Sequence, residues 1–206
     1  GRCLAGFLAV AAIGQIPALA YCTEYSETYY NPSGALTVVE SDWGEFFGTS
    51  DGCAVVYDLG ADLYTVYNKS EATRRVPPCS TYKIYSALNA LEQRIIAPVA
   101  NTLVWDGTAY AFESWNQDQT LRSAMQESVN WYFKFLDQSA GTAQMEDFLT
   151  EISYGDCNFG DDSDSFWNGS GVKISALEQV ELLVKLYRND FGFEDGNITA
   201  VKDAML

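Results

Sequence analysis

Ser80 and Lys83 stand three residues apart in the stretch RRVPPCSTYKIYSALNALEQ (residues 74–93), just after Pro77 and Pro78. On a helix starting at Ser80 this spacing puts the hydroxyl and the amine on one face. A serine hydroxyl is a poor nucleophile until a base takes its proton. A lysine can be that base only when burial lowers its pKa or when its amine is modified. Tyr82, Ile84 and neighbouring helices could supply the burial. The same residues also read as an N-cap serine followed by a solvated lysine, and the bare SxxK pattern does not choose between the two.

Other chemistries are excluded. The chain contains no histidine, which rules out a Ser-His-Asp triad, a Cys-His dyad and an HExxH zinc site within it. Its cysteines, Cys3, Cys22, Cys53, Cys79 and Cys157, show no CxxC spacing, so buried or free thiols are expected and no metal site. With 28 acidic against 12 basic side chains the net charge is −16, which repels phosphate backbones and makes nucleic acid an unsuitable partner.

The elements that must position this pair can be read from periodicity. Two β-branched and aromatic runs, 53–58 and 63–68, flank Leu59-Gly60-Ala61-Asp62 and predict a hairpin. From Ser80 onward Ile84, Ala87, Leu88 and Leu91 recur at helical spacing. Helical patterns return over 121–136, 143–152 and 175–187, the last opening with Ser175 and Glu178 as a capping box. The chain ends on a further apolar, helix-like segment. Residues 23–47 are polar, aromatic and turn-rich, and read as a linker. Residues 3–22 carry no charge and follow Arg2, close to the roughly 20 apolar residues that span a bilayer. The reading preferred here is a membrane helix over 1–22, with an acidic extracytoplasmic domain over 48–206. A small-x-small site at Ala18-Leu19-Ala20 supports the alternative of a signal peptide. The first residue is Gly, as in a fragment.

The segments PCSTYKIYSALNALE, WDGTAYAFESWNQDQTLRSAMQESVNWYF and YGDCNFGDDSDSFWNGSGVKISALEQVELLVKLY resemble, in order and spacing, the penicillin-recognising serine enzymes of the class D β-lactamase type. The resemblance covers residues from about 44 to 206. It implies an α+β fold, a helical centre packed on an antiparallel sheet, with Ser80 as the nucleophile that opens a β-lactam ring and Lys83 as its base. In that family the lysine is carbamylated by CO₂, the only added group implied, and a tryptophan matching Trp167 holds the carbamate. Ser128 matches the serine that relays a proton to the leaving nitrogen, Trp115 an aromatic at the mouth of the site, and Tyr154 the substrate-side tyrosine of the Tyr-Gly turn.

Three departures narrow the reading. Asn130 replaces the usual valine of the second motif, Asp156 replaces the asparagine after Tyr154-Gly155, and no Lys-Thr-Gly strand is present, as if the C-terminal part of the domain were missing. Asn130 and the apolar N-terminal segment resemble the sensor domain of β-lactam-sensing signal transducers of the BlaR/MecR type. That resemblance implies a receptor in the cell membrane, with a cytoplasmic zinc protease upstream of the helix, in which β-lactam antibiotics acylate Ser80 and stay. A secreted class D β-lactamase is the leading alternative, and a degenerate, non-enzymatic binding domain the third.

Overall fold

A computed structural model describes residues 26–31, 34–159, 166–169 and 171–206. They form two compact units, one running up to Arg75 and including Ser175–Val184, the other of Val76–Ile174 and Lys185–Leu206. The expected membrane helix lies outside the described residues. Among these no helix is long and apolar enough to cross a membrane.

The first unit is built on a sheet of four strands in the order β1-β2-β4-β3. The predicted hairpin is present as β3 (Ala54–Asp58) and β4 (Leu63–Tyr67), antiparallel from Ala54 opposite Tyr67 to Asp58 opposite Leu63. Its loop closes on the Asp58 carboxylate, which accepts from the N–H groups of Gly60 (2.7 Å) and Ala61 (3.0 Å). The linker expected over 23–47 is instead largely structured. It forms the antiparallel strands β1 (Ser26–Asn31) and β2 (Gly34–Glu40) and the single helical turn α1 (Gly44–Phe47). Its tyrosines, threonines and valines favour strands, and a strand needs partners for its backbone groups. β2 finds them by pairing in parallel with β4, Val38 opposite Tyr64. The sheet is therefore mixed rather than wholly antiparallel. Val38, Tyr64 and Val66 bury one face with Ala72 of α2 (Lys69–Ala72) and with Leu177.

The second unit is helical. It comprises a 3₁₀ turn at Cys79–Tyr82, α3 (Lys83–Glu92), α4 (Leu121–Gln126), α5 (Asn130–Ala140), α6 (Thr142–Glu151) and α8 (Asp195–Ala204), while α7 (Ala176–Arg188) begins in the first unit and ends here. The capping box at the start of α7 forms as predicted. Ser175 donates N–H and Oγ–H to Glu178 Oε2 (both 2.9 Å), Glu178 N–H returns to Ser175 Oγ (3.2 Å), and Arg75 grips the same carboxylate at 2.5 Å. The helix expected to run unbroken over 121–136 divides. Apolar spacing continues through the division, but the backbone turns at Glu127 to Val129, where Ser128 adopts a left-handed φ of 52°.

The Tyr-Gly turn explains Asp156. Gly155 has φ +59°, and a Cβ there would sit 2.1 Å from the Lys173 carbonyl oxygen. Asp156 N–H donates to that carbonyl (2.9 Å), while its carboxylate accepts the N–H groups of Lys173 (2.9 Å) and Asn158 (3.2 Å). Asp156 is a staple for this turn. Gly155→Ala should therefore lower the unfolding free energy by at least about 2 kcal/mol, the strain and the overlap adding together; a denaturant midpoint equal to the wild type would contradict this close approach.

Candidate active site

Two left-handed residues set the site. Cys79 (φ 50°) turns the chain immediately before Ser80, and Ser128 (φ 52°) turns it between α4 and α5. Such a conformation costs a non-glycine residue about 1–3 kcal/mol and persists only where the surroundings enforce it. Here Cys79 N–H donates to the Trp167 carbonyl at 2.9 Å and Val129 N–H to the Ala124 carbonyl at 2.9 Å. The 3₁₀ turn leaves Ser80 exposed and carries Lys83 inward, to 1% exposure. Neither residue sits as the solvated-lysine reading requires.

Four contacts fix the Lys83 amine. Nζ lies 2.6 Å from the Ser128 carbonyl oxygen, 2.7 Å from Ser128 Oγ, 2.7 Å from Asn130 Oδ1 and 3.3 Å from Ser80 Oγ. Ser128 Oγ is in turn 2.9 Å from Ser80 Oγ. The rings of Phe133 and Trp167 each stand 5.6 Å from Nζ, and Trp167 is stacked with buried Tyr82. Among the described residues no carboxylate is bonded to the amine. Burial accordingly draws the Lys83 amine from the ordinary lysine range down to about 8.

The chemistry follows from counting donors and acceptors. The ammonium has three protons for the Ser128 carbonyl, the Ser128 hydroxyl and the Asn130 amide oxygen. Once neutral, it keeps two, and the two carbonyl oxygens can only accept. Its lone pair is then left for the hydroxyls of Ser128 and Ser80. A proton can leave Ser80 directly for Nζ, or Ser128 can accept it while passing its own proton to Nζ.

The predicted residues divide accordingly. Ser80, Lys83, Ser128, Asn130 and Trp167 meet in one place. Trp115 lies in a 3₁₀ turn fastened on both sides of Ser128, its Nε1 donating to the Glu127 carbonyl (3.0 Å) and its own carbonyl accepting from Trp131 Nε1 (2.9 Å). Tyr154 is fully enclosed, edge-on to Tyr82 at 6.2 Å and Tyr85 at 5.2 Å, so the fold leaves its side chain no open face for the substrate contact its motif implies. Phe133 and the Ser128 carbonyl were not foreseen; the helical spacing from Asn130 to Phe133 is the signal that could have found the ring. Among the described residues no cluster of His, Cys, Asp or Glu could hold a metal.

Residues 27–194 match the penicillin-binding protein transpeptidase domain family. The chain is 39% identical over 197 residues to regulatory protein BlaR1 of Bacillus licheniformis, an alignment that takes in 95% of this chain and 32% of that one. It thus spans about a third of that relative's length. Among solved structures, the C-terminal domain of the Bacillus licheniformis BlaR penicillin-receptor matches with a TM-score of 0.78 and 42% identity, covering 81% of this chain and 68% of that one. The class D β-lactamase BAT-2 matches with a TM-score of 0.77 and 37% identity, covering 81% and 70%.

The position of the amine can be measured. In a lysine-selective NMR titration of the protein, Lys83 should lose its proton with a midpoint of about 8; a midpoint in the ordinary range near 10.5 would mean that the amine is not desolvated as described.

Proposed function

The chain belongs to the penicillin-binding protein transpeptidase family, in the branch that holds penicillin-receptor domains and class D β-lactamases, and from that premise we propose that it is the β-lactam-sensing domain of a membrane receptor, acylated at Ser80. One observation carries the reading: a buried amine bonded at once to Ser80, Ser128 and Asn130. Ser80 Oγ attacks the β-lactam carbonyl carbon, and its proton passes to Lys83. The carbon–nitrogen bond of the ring opens, and the proton returns through Ser128 to the departing nitrogen. The N–H of Ser80 is one donor for the oxyanion. Trp167 and Phe133 keep the amine dry, and Trp115 lines the mouth.

Asn130 favours a sensor over a hydrolase. Hydrolysis of the acyl group requires a general base for water, which a carbamate on Lys83 would supply. Carbamylation would put an anion where the Ser128 carbonyl and the Asn130 amide oxygen now accept from Nζ, and acceptors facing an anion destabilise it. The free amine is therefore the form this pocket supports, and the acyl group stays. The β-lactamase relatives favour the second reading, a class D hydrolase, in which the same serine turns over. Under the receptor reading an N-terminal membrane helix places the domain outside the cytoplasm, and a protease domain lies upstream.

A fluorescent penicillin should label the protein one-to-one, with no labelling of Ser80→Ala and labelling of Lys83→Ala slowed about 10²–10⁴-fold. The labelling rate should climb as pH rises through about 8, because deprotonation creates the base, and level off above it. Labelling that survives Ser80→Ala, or a rate indifferent to pH between 6 and 9, roughly one unit or more either side of that value, would contradict the assignment.

A further inference from the structure

Beneath the catalytic pair lies a second, buried one that the acylation chemistry does not use. Asp137, on α5, is 8% exposed, and Ser86, on α3, is 1% exposed. Ser86 Oγ donates to Asp137 Oδ1 at 2.5 Å. The pair joins the same two helices as the bond from Lys83 to Asn130. Ser86 follows Lys83 by three residues and Asp137 follows Asn130 by seven, so each lies on the helix face of its active-site residue, one turn along α3 and two along α5. Tyr82, the residue that stacks on Trp167, is the other group that acts on the carboxyl.

We infer that Asp137 is a positioning residue: as a carboxylate it draws Ser86 and α3 against α5, and so sets the height of Lys83 between Ser128 and Asn130. A charged acceptor makes a shorter and stronger hydrogen bond than a neutral one. This bond acts on the backbone one turn from Nζ, where a small shift alters four contacts at once. The inference rests on the acylation of Ser80 proposed above.

Electrostatics identify the carboxylate as a retained liability. Burial lifts the Asp137 carboxyl to about 7, against the pull of its bonds from Ser86 and Tyr82. The charged groups on the helices packed against α5, namely Lys83 and Glu92 of α3, Arg122 of α4, and Glu146, Asp147 and Glu151 of α6, are not among those that shift it. Because the folded chain holds this proton more tightly than the unfolded one, stability falls as pH rises from about 4 through about 7, and the cost is fully present above that. Asparagine would fill the same volume and accept from Ser86 without that cost. A carboxylate that destabilises the fold at neutral pH is accounted for if the site needs its charge.

The test compares wild type, Asp137→Asn and Ser86→Ala in two measurements: labelling rate with a fluorescent penicillin and thermal midpoint, both from about pH 5.5 to 9, a range that brackets the two ionisations. Asp137→Asn mimics the protonated carboxyl at every pH. The wild type should label about tenfold faster than Asp137→Asn above pH 8, and the ratio should fall toward one below pH 6, where both carry a neutral group; the tenfold corresponds to the loss of charge assistance in one hydrogen bond. Asp137→Asn should also melt higher than the wild type at pH 8 and not at pH 5.5, which shows that slower labelling is not unfolding. Ser86→Ala, which removes the donor and keeps the acid, should label slowly with the same dependence on pH. A rate ratio of one, or one that stays constant over the whole pH range in both variants, overturns the inference and leaves Asp137 as structure alone. A wild type that takes up no label at all overturns the acylation reading itself.

Discussion

The Lys83 amine has been taken out of water and given only oxygen atoms as hydrogen-bond partners among the described residues. An isolated ammonium in such a place is strongly disfavoured, and this one survives by bonding the Ser128 carbonyl, the Ser128 hydroxyl and the Asn130 amide. The rest of the second unit can be understood as what that arrangement requires. Lys83 must enter from the end of a 3₁₀ turn, so the chain is forced left-handed at Cys79. Ser128 must offer both its carbonyl and its hydroxyl to one nitrogen, so the helical run is broken and forced left-handed there as well. Tyr82, Phe133 and Trp167 then close the apolar floor that excludes water.

The same environment would account for both halves of the sensor behaviour proposed above. Burial lowers the amine to about 8, which leaves enough of it neutral to take the Ser80 proton near physiological pH. Under the proposed reading, the acceptors that hold it in place disfavour an added anion, and with it the second base that water would need. A pocket with an apolar residue at position 130 would bury the amine equally well and would lack that acceptor. In the proposed account, the amide oxygen 2.7 Å from Nζ is what separates trapping of the acyl group from its release.

Much of this site was legible in the sequence because its chemistry is local. SxxK after two prolines, SVN and the FWN turn are short, ordered motifs, and the residues they name converge. What was missed depended on tertiary context. The break at Ser128 is invisible because Leu121, Ala124, Tyr132, Phe133 and Leu136 keep helical spacing across it. Residues 26–40 read as a linker because polar and turn residues interrupt their strand pattern, and the parallel pairing of β2 with β4 is not visible from local sequence. Tyr154 was assigned to the ligand by its motif, yet aromatic partners enclose it. Asp137 has no motif, and one acid on an amphipathic helix resembles an ordinary solvated face until its burial is known.

The central claim is that Lys83 remains a free amine while Ser80 carries its acyl group. A ¹³C NMR spectrum of the protein in ¹³C-bicarbonate, recorded before and after reaction with one equivalent of a penicillin, observes this directly. The account predicts no carbamate resonance assignable to Lys83 in either state, with the penicilloyl group still on Ser80 by intact mass at the end of the acquisition. A carbamate resonance that persists, accompanied by free penicilloic acid in excess of the protein, would contradict it.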